Sequence, residues 1–483
     1  MGIRNGQQFI DGLRDDREVW YDGERVGDVT QFSEFKPSIA SLARLYDMQH
    51  ESEHQDVLVA DSAEFGEPIG RAFEIPRTQE HLCLKREAYI AWAQSNAGMM
   101  GRSPDFLNAM IVALAAKRSF FAEASEARAD AVVEYYRHVA KNDLFLTHAL
   151  LDPQLDKGKL RSEQSDPGIS LRVVDENQDG IILNGIKRIA TAAPYADEIL
   201  VWPFPPTFQP GEEAYANVFA IPMNTEGLKT VCRSSFSNLG LTADFPLSSR
   251  FDEMDATVIF DNVLVPWERV FLHNNVPLLN RMYRDSRMRE LTAHQTNARL
   301  EVKLGFVYAL AVEMAQAQGL ENKPNIMEML GEAAVKIEII RSTTRSAEFQ
   351  ATVDPENGVL YPDLPALQAG RAMGPVYYPE FVDMIRRVGG GALIQQPASM
   401  REFDSPVGED IEKALRGASI SGQRKTQLLK LAWDLCGTQF GSRHVLYEMN
   451  YAGERSALVS SIQREYKRKQ PYIDHLDQFL DNV

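Results

Sequence analysis

The chain has 483 residues, with 51 lysines and arginines against 68 aspartates and glutamates for a formal charge of −17. Hydrophobic residues at 44% and charged residues at 25% exclude wholesale disorder, and at roughly 150 residues per domain the length predicts about three domains. A pI near 5.1 argues against sequence-independent nucleic-acid binding, and the longest apolar stretch, Leu304 to Val312, falls far short of the ~20 residues that span a bilayer.

Met1 to Gly6 has no apolar segment of the signal-peptide kind, so a cytoplasmic protein is expected. From Gln7 to about Leu151 the pattern reads as helical, with runs at Ile39 to Tyr46 and Phe106 to Phe121. One helix start is well marked: Ser103 as cap, Pro104 at the first helical position and Asp105 at the positive end of the dipole. Phe106, Met110 and Leu114 then share a face. Between about Asp152 and His273 the period becomes two. Ile169, Leu171 and Val173 alternate with polar residues, and Asp179-Gly180 and Asn184-Gly185 predict hairpin turns. Further strands are predicted at Glu198 to Trp202, Ala216 to Ile221 and Thr257 to Val265. The helical period returns from about Leu278: Leu300, Leu304, Val307 and Ala311 share a face and Gly319 is a stop. Helices follow around Ile326 to Ala347 and Gln427 to Cys436. The boundaries are therefore 1–151 helical, 152–277 β and 278–483 helix bundle.

Several motifs admit two readings. His50-Glu51-Ser52-Glu53-His54 matches H-E-x-x-H, in which two histidines one helical turn apart bind zinc. Its flanks are polar and no third ligand follows, so a solvated helix end or loop, without metal, is the better account. Cys83, Cys232 and Cys436 are scattered and form no CxxC, which supplies neither a disulfide framework nor a metal site. Gly389-Gly390-Gly391 lacks the third glycine and the βαβ context of a dinucleotide fingerprint, and no nicotinamide-binding unit is visible. Arg102, just ahead of a capped helix, could meet an anion together with the helix N-terminus, or simply sit on a solvated end. His148 and His294 each stand in apolar surroundings, where a satisfied core histidine is the commoner outcome.

These same residues carry a resemblance. Gly101-Arg102-Ser103-Pro104-Asp105, Thr147-His148-Ala149 with Asp152-Pro153-Gln154, Ala190-Thr191-Ala192-Ala193-Pro194, and Pro246 to Glu253 follow in order. Phe260 to Glu268, Phe440-Gly441-Ser442-Arg443-His444 and Tyr447-Glu448-Met449-Asn450-Tyr451 complete the set. From near residue 7 to about residue 455 the chain resembles the oxygenase component of 4-hydroxyphenylacetate 3-monooxygenase, a family of two-component, reduced-flavin-dependent phenol hydroxylases. The resemblance implies an α+β, mainly α, acyl-CoA-dehydrogenase-like fold: a helical domain, a central β domain and a C-terminal bundle, assembled as a homotetramer. It implies FAD, used as FADH2, with O2 as co-substrate and a separate NAD(P)H:flavin reductase as partner. The flavin contacts implied are Gln154, Lys157, Thr191, Arg233, Asp252 and Arg443, with the Gly389 to Gly391 loop near the dinucleotide. Lys157 stands where some relatives have arginine.

The implied reaction is hydroxylation ortho to a phenolic hydroxyl, giving a catechol through a flavin C4a-hydroperoxide. Arg102 would stabilise the phenolate and His148 would accept or share its proton. Phe106 replaces the tyrosine that holds the substrate hydroxyl in the 4-hydroxyphenylacetate enzymes. A substituted phenol, a tyrosine derivative or a carrier-bound tyrosine therefore all fit. His294 lies near the catalytic base of the family's halophenol and nitrophenol monooxygenases, which form an alternative reading. An acyl-CoA-dehydrogenase-like flavoenzyme is another. A 4-hydroxybutyryl-CoA dehydratase needs an iron–sulfur cluster for which three scattered cysteines are no ligand set.

Overall fold

The computed structural model describes residues 2–204, 207–451, 453–466 and 468–482. After a short helix at Gly6–Gly12, the first segment forms a short hairpin, β1 (Glu18–Tyr21) and β2 (Glu24–Val26), followed by the longer helices α1 (Lys36–Met48), α2 (Gln79–Ser95), α3 (Pro104–Ala116) and α4 (Glu126–Asn142). Strands β3 (Leu146–Ala149), β4 (Arg172–Glu176), β5 (Gly180–Thr191), β6 (Glu198–Val201), β7 (Val218–Pro222), β8 (Leu228–Cys232), β9 (Asp255–Pro266) and β10 (Val270–Leu272) come next. The bundle contains α5 (Met288–Ala317), α6 (Pro324–Phe349), α7 (Leu364–Gly389), α8 (Gly422–Cys436) and α9 (Gln439–Asn450). This is the α+β, mainly helical arrangement expected. Among the described residues no helix is long and apolar enough to cross a membrane.

The strands form a six-stranded sheet in the order β2-β1-β8-β9-β5-β4 and a four-stranded sheet in the order β10-β7-β6-β3. Three strands of these two sheets thus come from the segment read as helical, which also carries a separate two-residue pair, Val59–Ala60 with Ile69–Gly70. β1 runs parallel to β8 with Glu18 opposite Lys229, and β3 runs parallel to β6 with His148 opposite Leu200. β9 shows why period two reads so clearly. Ala256, Val258 and Phe260 face the core, and a register shift between Phe260 and Val263 returns Val263 and Val265 to the same face.

Two local expectations are corrected. Asp179-Gly180 does close the β4–β5 hairpin, but Asn184-Gly185 lies inside β5 and makes no turn. Gly185 has φ +129°, and a Cβ there would lie 2.6 Å from Leu171 Cα. A glycine inside a strand here marks close backbone approach, with Asn184 Nδ2 donating to Asn262 Oδ1 at 3.0 Å beside the register shift. Ser103 does occupy the N-cap of α3, yet its hydroxyl makes no capping bond and instead donates to Asp105 Oδ1 at 2.6 Å. The run from Phe106 to Phe121 is two helices, broken at Lys117. The bundle agrees more fully: Leu300, Leu304, Val307 and Ala311 are completely buried along α5, and Gly319 follows that helix at φ +67°.

Candidate active site

β3 is buried along its whole length because it is the inner edge of the small sheet against α3. Thr147 Oγ1 donates to Thr191 O at 2.6 Å, tying β3 to the end of β5. The alternation of a strand then turns His148 the other way, where its ring stacks on Trp202 at 5.6 Å and lies 5.9 Å from the ring of Phe106. The Phe106 ring in turn packs under the Arg102 guanidinium, 4.2 Å from its Cζ. Gly101 is required by this crowding, since a Cβ there would collide with the Tyr447 hydroxyl.

Arg102 and His148 are both buried, and each presents a polar atom, Arg102 Nη1 and His148 Nδ1, with no hydrogen-bond partner. Burial, and then the charge of Arg102, push the His148 pKa well below the ordinary imidazole value. The ring is therefore neutral at pH 7 and able to accept a proton. Arg102 is anchored through its backbone, its N–H donating to Glu253 Oε1 at 2.6 Å, and Nη2 reaches Tyr451 O at 3.3 Å. Behind Phe106, Asp105 takes bonds from Ser103 and, at 3.2 Å, from Gln295 Nε2; burial raises its carboxyl to about 6.

The expected flavin-contact residues divide in two. Thr191, Arg233 and Arg443 converge on Asp255: Thr191 Oγ1 donates at 2.8 Å, Arg233 Nε at 2.9 Å, and Arg443 Nε and Nη2 at 2.9 Å each. Arg233 also pairs with Asp252 at 2.8 Å. Burial alone would raise the Asp255 carboxyl, but Arg443 and Arg233 hold it well below the usual range. Arg443 belongs to α9 and Asp255 opens β9, so this cluster joins bundle to sheet. Gln154 and Lys157, by contrast, stand exposed on the segment between β3 and β4. Gly390 and Gly391 close α7 with open space where a side chain would be. Below Arg102 lies a second ionic layer. Arg299 and Lys303 hold Glu448 at 2.7 and 2.9 Å and bring it down to about 2 against the effect of burial.

His294 is not part of the Arg102–His148 pair. It is wholly buried on α5, its Nε2 2.7 Å from Glu348 Oε1 and its ring edge-on to Tyr89 at 5.8 Å. Glu348 also takes a bond from Arg86 Nε at 2.8 Å. His50 to His54 form a turn rather than a helix, so the two histidines are not one helical turn apart on a common face. Glu51 pairs with Arg44 and His50 Nε2 meets Arg4 O at 3.0 Å. Glu51, Glu53 and His54 do lie close enough together for a cation, as a partly exposed acidic group. Asp255, Glu253, Tyr451 and Trp202 carry much of the site's geometry, and single-residue spacing gave no signal for them.

The 4-hydroxyphenylacetate 3-hydroxylase N-terminal model matches residues 5–272 and the corresponding C-terminal model matches residues 279–481. The chain belongs to this family. The oxygenase component of 4-hydroxyphenylacetate 3-monooxygenase from Thermus thermophilus is 38% identical over 481 residues, covering 99% of this chain and 97% of that protein. A crystal structure of such an oxygenase component complexed with FAD and 4-hydroxyphenylacetate superposes with a TM-score of 0.94 at 37% identity, covering 99% of this chain and 98% of that one. The oxygenase component of a Rhodococcus 4-nitrophenol 2-monooxygenase is 32% identical over 463 residues, covering 94% of this chain and 86% of that protein.

Proposed function

We propose that this family member is the oxygenase of a two-component, FAD-dependent monooxygenase that hydroxylates a phenol ortho to its hydroxyl, and that Arg102 and His148 bind that hydroxyl. The observation that carries the reading is a buried guanidinium and a buried neutral imidazole side by side, each with an unpartnered nitrogen. A phenol supplies what both lack: an oxygen for Arg102 Nη1 and a proton for the imidazole.

The donor set also fits a flavin. Thr191, Arg233, Asp252 and Arg443 would wall it where bundle meets sheet, with the amide of Gln154 and the ammonium of Lys157 at an exposed rim and Gly390 and Gly391 leaving room for a dinucleotide. Reduced FAD, when bound, supplies two electrons that activate O2, from which one oxygen atom goes to the ring and the other leaves as water. The chain's own residues prepare the acceptor. His148 takes the phenolic proton, Arg102 pairs with the resulting oxyanion, and the charge released into the ring makes the ortho carbon nucleophilic. Trp202 and Phe106 flank the imidazole with apolar rings and exclude water, which strengthens both contacts.

Arg102 and His148 are better placed for this task than His294, whose Nε2 is engaged by Glu348. Phe106 gives no third polar contact, so the preference among phenols differs from that of an enzyme with tyrosine there. The separate reductase and a homotetrameric assembly belong to the same proposal. Exposed Phe349, Ile394, Leu446 and Phe479 on the helical segments support self-association. The test is to supply photoreduced FAD and a panel of para-substituted phenols under air and analyse for catechols. NADH and oxidised FAD alone should give no turnover until a flavin reductase is added. Efficient NADH oxidation by this chain, or no catechol from any phenol, overturns the reading.

A further inference from the structure

Three carboxylates, Asp252, Glu253 and Asp255, stand within four residues where the chain enters β9, and Arg233 and Arg443 pair with them. The two outer acids are fully engaged. Asp252 takes Arg233 Nη2 at 2.8 Å and the Phe236 N–H at 2.7 Å, and Asp255 takes both guanidiniums at 2.9 Å. The middle acid is divided. Glu253, 1% exposed, gives Oε1 to the Arg102 backbone N–H at 2.6 Å and Oε2 to Arg443 Nη1 at 3.4 Å. Its own carbonyl accepts from Arg233 Nη2 at 2.7 Å. One residue thus touches both flavin-side arginines and the backbone of the arginine assigned to the phenol.

The Arg102 N–H has no place in the ladder of α3, because it precedes the N-cap Ser103. Buried as it is, it needs an acceptor from elsewhere. A neutral acceptor would satisfy it. A carboxylate does more, since it sits near the positive end of the α3 dipole and keeps a second oxygen for Arg443. The guanidinium end of Arg102 is gripped from α9. Tyr447, one turn after Arg443 on that helix, has its ring 5.4 Å from the Arg102 guanidinium and 5.3 Å from that of Arg443. Arg102 and Arg443 therefore share one carboxylate and one ring. Whatever fixes Arg443 and Arg233 fixes Glu253, and through it the backbone from which Arg102 projects. His148 is tied to the same cluster by a separate route, Thr147 to Thr191 and Thr191 to Asp255, so Glu253 serves Arg102 alone of the pair.

We propose that Glu253 is a positioning residue whose carboxylate couples the flavin-side arginines to Arg102, so that FAD and the phenol each strengthen the binding of the other. By linkage the two ligands gain the same factor. The inference rests on the placing of flavin and phenol argued above.

The test is calorimetric and needs no turnover. Kd for 4-ethylphenol and for 4-hydroxyphenylacetate is measured with and without saturating oxidised FAD in wild type, Glu253→Gln, Glu253→Ala and Arg443→Lys. In wild type, FAD should tighten both phenols at least about fivefold. Glu253→Gln keeps an oxygen for the Arg102 N–H but loses the charge facing Arg443. Its Kd without FAD should stay within about twofold of wild type, while the effect of FAD falls below about twofold. Glu253→Ala should lose the FAD effect and also weaken FAD-free binding about 10-fold, because a buried N–H is left without an acceptor. Arg443→Lys cuts the bridge from its other end: one ammonium serves Asp255 but does not reach both acids, so the FAD effect should fall there too. A wild-type Kd that FAD leaves unchanged overturns the coupling, as does a Glu253→Gln protein that keeps the full FAD effect. Equal losses with and without FAD in Glu253→Gln, together with a lower Tm, would make Glu253 structural and overturn it as well. Each of these results leaves the hydroxylase reading standing. Absence of phenol binding in every state overturns that reading and the coupling together, so the two failures are told apart.

Discussion

Replacing Arg102 by methionine isolates the charge that the proposed reaction depends on. The guanidinium packs on Phe106 at 4.2 Å and Tyr447 at 5.4 Å, so an unbranched thioether retains most of the stem's packing. No carboxylate is stranded by the change, because the Glu253 contact is made by the Arg102 backbone N–H. Folding stability should thus stay near wild type while the oxyanion loses its partner. One such contact in a dry site contributes about 2.7–4 kcal/mol, or 10²–10³ in rate. Catechol formation should fall by that factor, and reduced flavin consumed should appear instead as H2O2. There is a second signature. The His148 pKa is lowered first by burial and second by Arg102. Removing the second cause lets it rise, although burial still keeps it below the ordinary value. The acid side of the pH profile, where His148 becomes protonated and can no longer accept, should therefore move to higher pH. Oxygen uptake, catechol yield and peroxide measured together across pH 5–8 make the assay. If coupling and the acid limb both match wild type, Arg102 does not act on the hydroxyl and the site assignment fails.

Phe106→Tyr should place a hydroxyl between Arg102 and His148 and lower KM for small free phenols; an unchanged or higher KM would show that the phenylalanine is not what limits their binding. Asp255→Asn leaves Arg443 and Arg233 without their shared counter-charge. It should destabilise by about 3 kcal/mol, the low end for a broken buried pair because Asp255 is partly exposed, and weaken FAD binding as read by fluorescence titration. In wild type, the depressed Asp255 carboxyl contributes stability that is fully present above its ordinary value of 3.8 and is lost as pH falls through the lower folded value; acid melts of Asp255→Asn should lack that component. His50→Ala with His54→Ala, like dialysis against EDTA, should leave turnover unchanged; loss of a stoichiometric zinc together with activity would reinstate the H-E-x-x-H reading.

The residues most legible in the sequence were those whose neighbours in the chain are also their neighbours in space. Ser103, Pro104 and Asp105 announced the start of α3, and the alternation from Ala256 to Val265 announced β9, because both signals are local. The glycine in Asn184-Gly185 misled because the same dipeptide serves a turn and a close backbone approach, and only Leu171 across the sheet decides between them. The hairpin β1–β2 was missed because Glu18 to Val26 is too short and charged to show a period, and its pairing is with β8, far along the chain. Asp255 and Glu253 gather arginines from β8's end and from α9, contacts that follow from topology alone. His294 stood out as a histidine in apolar surroundings; that it faces Glu348 and Tyr89 rather than Phe106 depends on the rotation of α5, which the apolar face left open because nearly every residue at the start of that helix is buried.

The parallel pairing of Glu18–Trp20 with Lys229–Val231 also orders events in time. During synthesis the amino-terminal strand can pair at once with β2, but its other edge has no partner until more than two hundred further residues have been made, and the small sheet's β3 likewise waits for β6. The site is later still, since Arg443 reaches Asp255 only when the last third of the chain is complete. Until then the edge of β8 and the inner faces of both sheets are open to other chains. Removal of the first 26 residues would make that transient opening permanent along β8, so the shortened protein should aggregate during expression rather than merely melt at a lower temperature.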